Sequence, residues 1–242
     1  MIRWPTAPNP LPQLGGAHVW AVALDEAAFE MESWSARLSP DEQERADKFK
    51  FERDRRRYLV AHTALRDILA RYTRADPASL QFITGAHGKP KLAPPLADSI
   101  DFNLSHSHER ALVAVNVRRE IGVDIEFVKT DFEFIEIAKH FFTEREVAAL
   151  AALPESLQRQ AFYKCWTSKE AFLKAKGSGL SGQLDEVEIA LDREQVRIEA
   201  AVAGWALKDL NFGDGYEAAL VTQDQPAQVS CYRWQPVIAR PR

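Results

Sequence analysis

The sequence predicts an α+β (α/β) protein of two similar, pseudo-twofold halves, each a small antiparallel-rich sheet packed by one long helix. Short runs of alternating apolar residues, the period of a half-buried strand, fall into two groups. Each group contains one long stretch with the apolar spacing of an amphipathic helix. Glu109-Arg110-Ala111-Leu112-Val113 in the first group is echoed by Glu217-Ala218-Ala219-Leu220-Val221 in the second.

Taken in order, alternation places strands at His18 to Leu24, Leu80 to Thr84, Ile100 to Leu104, Ala111 to Val117 and Ile121 to Val128. Ser39-Pro40-Asp41-Glu42 has the chemistry of a helix start, and Tyr58, Leu59, Leu65, Ile68 and Leu69 give the stretch Phe51 to Tyr72 its apolar stripe. Helical blocks follow at Phe132 to Leu153 and from Glu155 to about Lys176, the latter stopped by Gly177 and Gly179. Short strands return at Val187 to Leu191, Val196 to Ala200, Trp205 to Phe212, Tyr216 to Thr222 and Val229 to Trp234. The seam between the halves is expected at residues 120–122, dividing the chain into 1–121 and 122–242. Such an interface is a favoured place for a ligand cleft.

Composition bounds the function. The 242 residues are 46% hydrophobic and 27% charged, which is ordinary for a folded soluble chain and excludes disorder and fibrous repeats. No window reaches the length of a membrane span, and the start Met1-Ile2-Arg3-Trp4-Pro5 lacks the apolar core of a secretory signal, so a cytoplasmic protein is expected, with no membrane partner. Cys165 and Cys231 are too few for a disulfide framework. A formal charge of -4 argues against nucleic acid as a partner, since phosphate neutralisation supplies that affinity. Within this acidic chain, Arg45, Lys48, Lys50, Arg53, Arg55, Arg56 and Arg57 form a basic run. It reads either as a solvated helix face or as an anion pocket.

Two apparent motifs are decoys. Gly177-Ser178-Gly179-Leu180-Ser181-Gly182 fits the dinucleotide pattern, but it closes a helix where that fingerprint must open one. His106-Ser107-His108 has no third ligand at zinc-like spacing. No P-loop, zinc-protease or serine-hydrolase motif is present.

The residues with chemistry lie elsewhere. In Gly122-Val123-Asp124-Ile125-Glu126, alternation turns Asp124 and Glu126 to one face and Val123, Ile125 and Phe127 to the other. A pair of carboxylates on a strand is either a polar solvent face or a seat for a hard divalent cation, and Mg²⁺ favours one or two carboxylates with phosphate oxygens. On the third helical block Trp166, Glu170 and Lys174 recur at every fourth position and stack along one face, as a plain helix ion pair or as an acid and a base one turn apart. Gly88-Lys89-Pro90 and Asn103-Leu104-Ser105-His106-Ser107 add donors.

These segments occur together and in order with Phe141-Phe142-Thr143-x-x-Glu146 and Trp166-x-x-Lys169-Glu170-x-x-x-Lys174. From about Ser39 to Gly182 the set closely resembles the Sfp-type 4'-phosphopantetheinyl transferases. The resemblance implies the 4'-phosphopantetheinyl transferase fold, with coenzyme A held between pseudo-twofold halves. It also implies transfer of the 4'-phosphopantetheine arm to a serine of an apo acyl or peptidyl carrier protein, with release of 3',5'-ADP.

By the same resemblance Asp124, Glu126 and Glu170 hold Mg²⁺, and Glu170 is the candidate base for the carrier serine, directly or through a water. Asp124 is catalytic through the metal, and Lys174 stabilises the departing phosphate. Ser105 and His106 contact coenzyme A phosphates, Arg45 and Arg57 grip its 3'-phosphate, Lys89 lies beside the nucleotide, and Lys169 faces the phosphates or the carrier. Glu146 either assists the metal or ties helices together. Glu42 departs from the pattern, since relatives place a lysine there. An Mg²⁺-dependent phosphohydrolase acting on a coenzyme A-like diphosphate could use the same acids, and a non-catalytic adaptor could keep the fold. Two fused halves complete a cleft without a second chain, so a monomer is expected.

Overall fold

The computed structural model describes residues 4–12, 15–25, 34–85, 88–97, 99–178, 184, 188–191, 198–200, 203–213, 215–224 and 228–236. Its first half runs β1 (Ala17–Ala23), α1 (Pro40–Asp47), α2 (Glu52–Thr73), β2 (Phe82–Thr84), β3 (Pro90–Leu92), β4 (Asp101–Ser107) and β5 (Arg110–Asn116). The second runs β6 (Ile121–Phe127), α3 (Phe134–Phe141), α4 (Glu144–Ala151), α5 (Glu155–Lys176), β7 (Ile189–Leu191), β8 (Ile198–Ala200), β9 (Trp205–Asp209), β10 (Tyr216–Gln223) and β11 (Val229–Arg233).

The repeat is visible in the strand order. One sheet contains β1-β5-β4 and the other β6-β10-β9, so in both the strand made last of the three lies between the other two, antiparallel to each. The helices α2 and α5 are both 22 residues long and occupy the same place in the two units. Each unit also has a two-stranded ribbon, β2-β3 or β7-β8. The echoed segments are β5 and β10, the middle strands.

Three apolar layers hold these parts together. Val60, Ala64, Leu65 and Ile68 of α2 pack on Trp20, Val22, Val113 and Val115 of the first sheet. Ala161, Phe162, Ala171 and Phe172 of α5 pack with α3, α4 and the β10 residues Ala219 and Val221. Between the sheets, Val19, Leu112 and Ala114 meet Val123, Ile125, Ala218 and Leu220. Alternation along β6 thus buries Val123 and Ile125 between the halves and turns Asp124 and Glu126 the other way, as the spacing predicts.

Gly122 sets how closely β6 approaches α5. A Cβ there would stand 2.0 Å from the Ala171 carbonyl oxygen and 2.4 Å from the Ala175 nitrogen, so only glycine lets strand and helix backbones touch.

One expectation is corrected. The helical block Phe132 to Leu153 is two helices, because Phe142 is extended (φ -101°, ψ 158°) and Thr143 starts α4 with a capping box closed by Glu146. Across the expected division at 121/122, β11 runs parallel to β1 and adds a fourth strand to the first half's sheet. Of the other sequence readings, Gly179 to Gly182, Val187 and the residues Val196 and Arg197 lie outside the described residues. No helix among the described residues is long and apolar enough to cross a membrane.

Candidate active site

At the seam β4 lies beside β6, and three alternate β4 residues reach across. The Asn103 side-chain oxygen accepts from Val123 N at 2.9 Å, Ser105 Oγ donates to Asp124 Oδ1 at 2.7 Å, and Ser107 Oγ donates to Glu126 Oε2 at 2.8 Å. Ser107 Oγ also accepts from Phe127 N at 3.1 Å. Period-two geometry thus aligns one polar row of β4 with the two carboxylates of β6. Ser107 orients Glu126, a role that sequence reasoning missed. Its register with Asn103 and Ser105 is the signal that could have revealed it.

Helix α5 brings the remaining groups. Lys174 Nζ donates to Asp124 Oδ1 at 2.6 Å and to Ser105 Oγ at 2.9 Å. Glu170, one turn earlier, is 7% exposed, and its carboxyl is pushed up to about 7 by burial, then by the negative charges of Asp124 and Glu126, against the opposing pull of Lys174. Burial and the Asp124 charge also raise Glu126, with Ser107 and Lys174 acting in the other direction. The charges of Asp124, Glu126 and Glu170 thus work against one another's ionisation.

The same donor set can be tested against a cation. Among the described residues no three His, Cys, Asp or Glu groups form a ready-made metal cage, and Lys174 supplies the positive charge at Asp124. Yet Asp124 Oδ2 and Glu170 Oε1 are buried with no hydrogen-bond partner. Buried carboxylate oxygens without donors are costly, and hard oxygen ligands of this kind fit a divalent cation. The residues fit Mg²⁺ by this chemistry.

The other expected site residues are placed less uniformly. Ser105 is in the cluster. His106, next along β4, has the opposite sense: its ring reaches solvent on the α2 side, and its pKa is lowered by the surrounding protein and then by Lys174, with smaller contributions from His62 and Arg57. Arg45 lines a cavity of about 480 Å³ with Tyr58, His62 and Gln81, the Tyr58 and His62 rings stacking at 4.0 Å. Arg57 forms a two-pronged ion pair with Asp25, at 2.8 and 2.5 Å.

Three residues are held by partners within the protein. Lys169 is fully buried; it pairs with Glu146 at 2.8 Å and donates to the Leu184 carbonyl at 2.7 Å, so it faces neither phosphate nor carrier. Glu146 also accepts from Ile189 N and Thr143 N, which makes it a tie between α4, α5 and β7. Lys89 places its amine on the Ile121 and Ala175 carbonyls, at 2.9 Å each.

Glu42 closes the capping box of α1 with Ser39 and also accepts from buried Arg66 at 2.8 Å, with His62 Nδ1 at 3.0 Å. Burial opposes its charge, but hydrogen bonds from His62, Arg66 and Ser39 hold it at about 2. Glu42 is thus an internal anchor.

The chain matches two family models: "4'-phosphopantetheinyl transferase superfamily" over residues 120–226 and "4'-phosphopantetheinyl transferase, N-terminal" over residues 26–118. It is 37% identical over 234 residues to the 4'-phosphopantetheinyl transferase HetI of Nostoc sp., covering 96% of this chain and 95% of that one. It is 36% identical over 171 residues to the 4'-phosphopantetheinyl transferase Sfp of Bacillus subtilis, covering 70% and 74% respectively. With a relative matched nearly end to end and both halves recognised separately, the chain belongs to the 4'-phosphopantetheinyl transferase superfamily.

Proposed function

We propose that Asp124, Glu126 and Glu170 hold Mg²⁺ against the diphosphate of coenzyme A while Glu170 and Lys174 move the proton and the charge of the transfer. The reaction is that of the family: the 4'-phosphopantetheine group of coenzyme A passes to a serine of an acyl or peptidyl carrier protein, and 3',5'-ADP leaves. The observation that carries the reading is the pair of buried carboxylate oxygens without donors, on Asp124 and Glu170, beside Lys174 at the seam.

Held by Asp124, Glu126 and Glu170, Mg²⁺ would supply positive charge to the acids and the diphosphate together. The carrier serine Oγ forms the new bond to the phosphorus that bears the pantetheine arm, and its proton passes to the Glu170 carboxylate. The bond from that phosphorus to the oxygen of the ADP portion breaks. Lys174 brings its ammonium to the negative charge growing on that oxygen, where a preplaced cation lowers the barrier. Glu170 is suited to its part by its place, a buried carboxylate one turn from Lys174 on the same face of α5. Ser105 and Ser107 hold Asp124 and Glu126 in place throughout.

The phosphohydrolase alternative has no counterpart in the relatives, whose names specify transfer. Mass spectrometry of an apo carrier protein incubated with this chain, Mg²⁺ and coenzyme A tests the reading. A gain of one phosphopantetheine on one serine is expected. Release of phosphopantetheine without a carrier, or no modification, overturns it.

A further inference from the structure

We infer that Lys89 is a positioning residue, a cross-seam staple that fixes β6 against the C-terminal end of α5 and so sets the spacing of the acids and Lys174. The inference rests on the proposed site and goes beyond it, because Lys89 touches none of the reacting groups. Its Nζ donates to Ile121 O at 2.9 Å and to Ala175 O at 2.9 Å. Ile121 is three residues before Asp124 on β6, and Ala175 directly follows Lys174 on α5. A single amine from the first half therefore binds both elements that carry the site.

Helix chemistry explains why a cation is used. The last carbonyls of a helix have no intrahelical donor and carry the negative end of its dipole, so an ammonium there satisfies an oxygen and the dipole together. Leu173 O is covered by the amides of Gly177 and Ser178, and Ala175 O by Lys89. Gly177 opens the route: at φ +68° it turns the chain, and a Cβ on it would stand 3.4 Å from Lys89 Cδ. The backbone behind Lys89 is pinned as well, because its carbonyl accepts from Gly85 N at 2.9 Å. Burial lowers the Lys89 amine to about 8, against the pull of Asp101 and Glu120, as befits a group facing carbonyls instead of water.

The staple is set where strand and helix are closest, since Gly122, next to Ile121, has no room for a Cβ against Ala171 and Ala175. Without the amine, Ile121 O and Ala175 O lose their shared donor, and the end of α5 is free to shift along β6. A shift of even an ångström there moves Lys174 off Asp124, a displacement of the size that costs about 100-fold in rate.

Lys89→Met in the full chain separates this role from nucleotide binding. Two readouts are taken: hydrogen exchange by mass spectrometry over residues 171–178, and the dissociation constant of 3',5'-ADP by calorimetry. Exchange at least about tenfold faster, with 3',5'-ADP affinity changed less than about threefold, is the expected result. Unchanged exchange, or a tenfold loss of 3',5'-ADP affinity, overturns the inference. In the transfer assay kcat should fall while KM for coenzyme A holds, and Lys89→Arg, which keeps donors at the position, should restore part of kcat. Should Lys89→Met fail to fold, Lys89→Gln is measured by the same two readouts, and the same results support or overturn the inference. Exchange reports the staple whether or not the chain transfers phosphopantetheine, so failure here is distinguishable from failure of the proposed function.

Discussion

At the scale of single residues the site is a contest among charges. Asp124 is 3% exposed and accepts from both Ser105 and Lys174 through one oxygen, leaving the other without a donor. Asp124→Ala should abolish transfer, lowering kcat more than the roughly 100-fold that losing a mere outer partner of a ligand costs, with an unchanged circular dichroism spectrum. Turnover near that of the parent chain would contradict the metal assignment. In the proposed reaction Lys174 acts at a different moment. Because its charge matters most as the phosphate departs, Lys174→Ala should reduce kcat by about 100-fold while KM for coenzyme A changes little. A loss confined to KM would make Lys174 a binding residue only.

At the scale of elements, backbone contact between β6 and α5 governs the site. Gly122→Ala drives a methyl into the Ala171 carbonyl and should cost about 3 kcal/mol, the upper end for overpacking. For a chain of this size that lowers Tm by roughly 10 °C, and calorimetry reads it directly. The elements themselves were largely legible: α5 ends where Gly177 stops it, and β6 buries the alternate residues that its pattern requires. Thr143-x-x-Glu146 is a capping box in plain sequence, and reading it as such divides the block 132–153 into α3 and α4. What alternation and spacing could not convey was partnership across the seam. Lys89, Lys169 and Glu42 each look like exposed charge in one dimension, and only tertiary structure supplies Ala175, Glu146 and Arg66 as their partners.

At the scale of the whole molecule, the carboxylate cluster links stability to pH and to cations. Glu170 titrates at about 7 in the folded chain against an ordinary value of 4.5. Between those values the folded chain keeps a proton that the unfolded chain has lost, so this group's contribution to stability is present below pH 4.5 and declines as pH rises through about 7. A cation that binds the ionised cluster offsets the decline. Millimolar MgCl₂ should therefore raise Tm more at about pH 8 than at about pH 5.5, and an equal rise at both would disconnect the acids from the metal. The other molecular feature is β11, which leaves the second half and seals the sheet of the first against β1. Translation delivers that strand after all the others, so β1 must leave the ribosome with an open flank and wait some two hundred residues for its neighbour. The two lobes, though built as copies, thus mature out of order: the sheet of the first is completed only after every strand of the second has emerged.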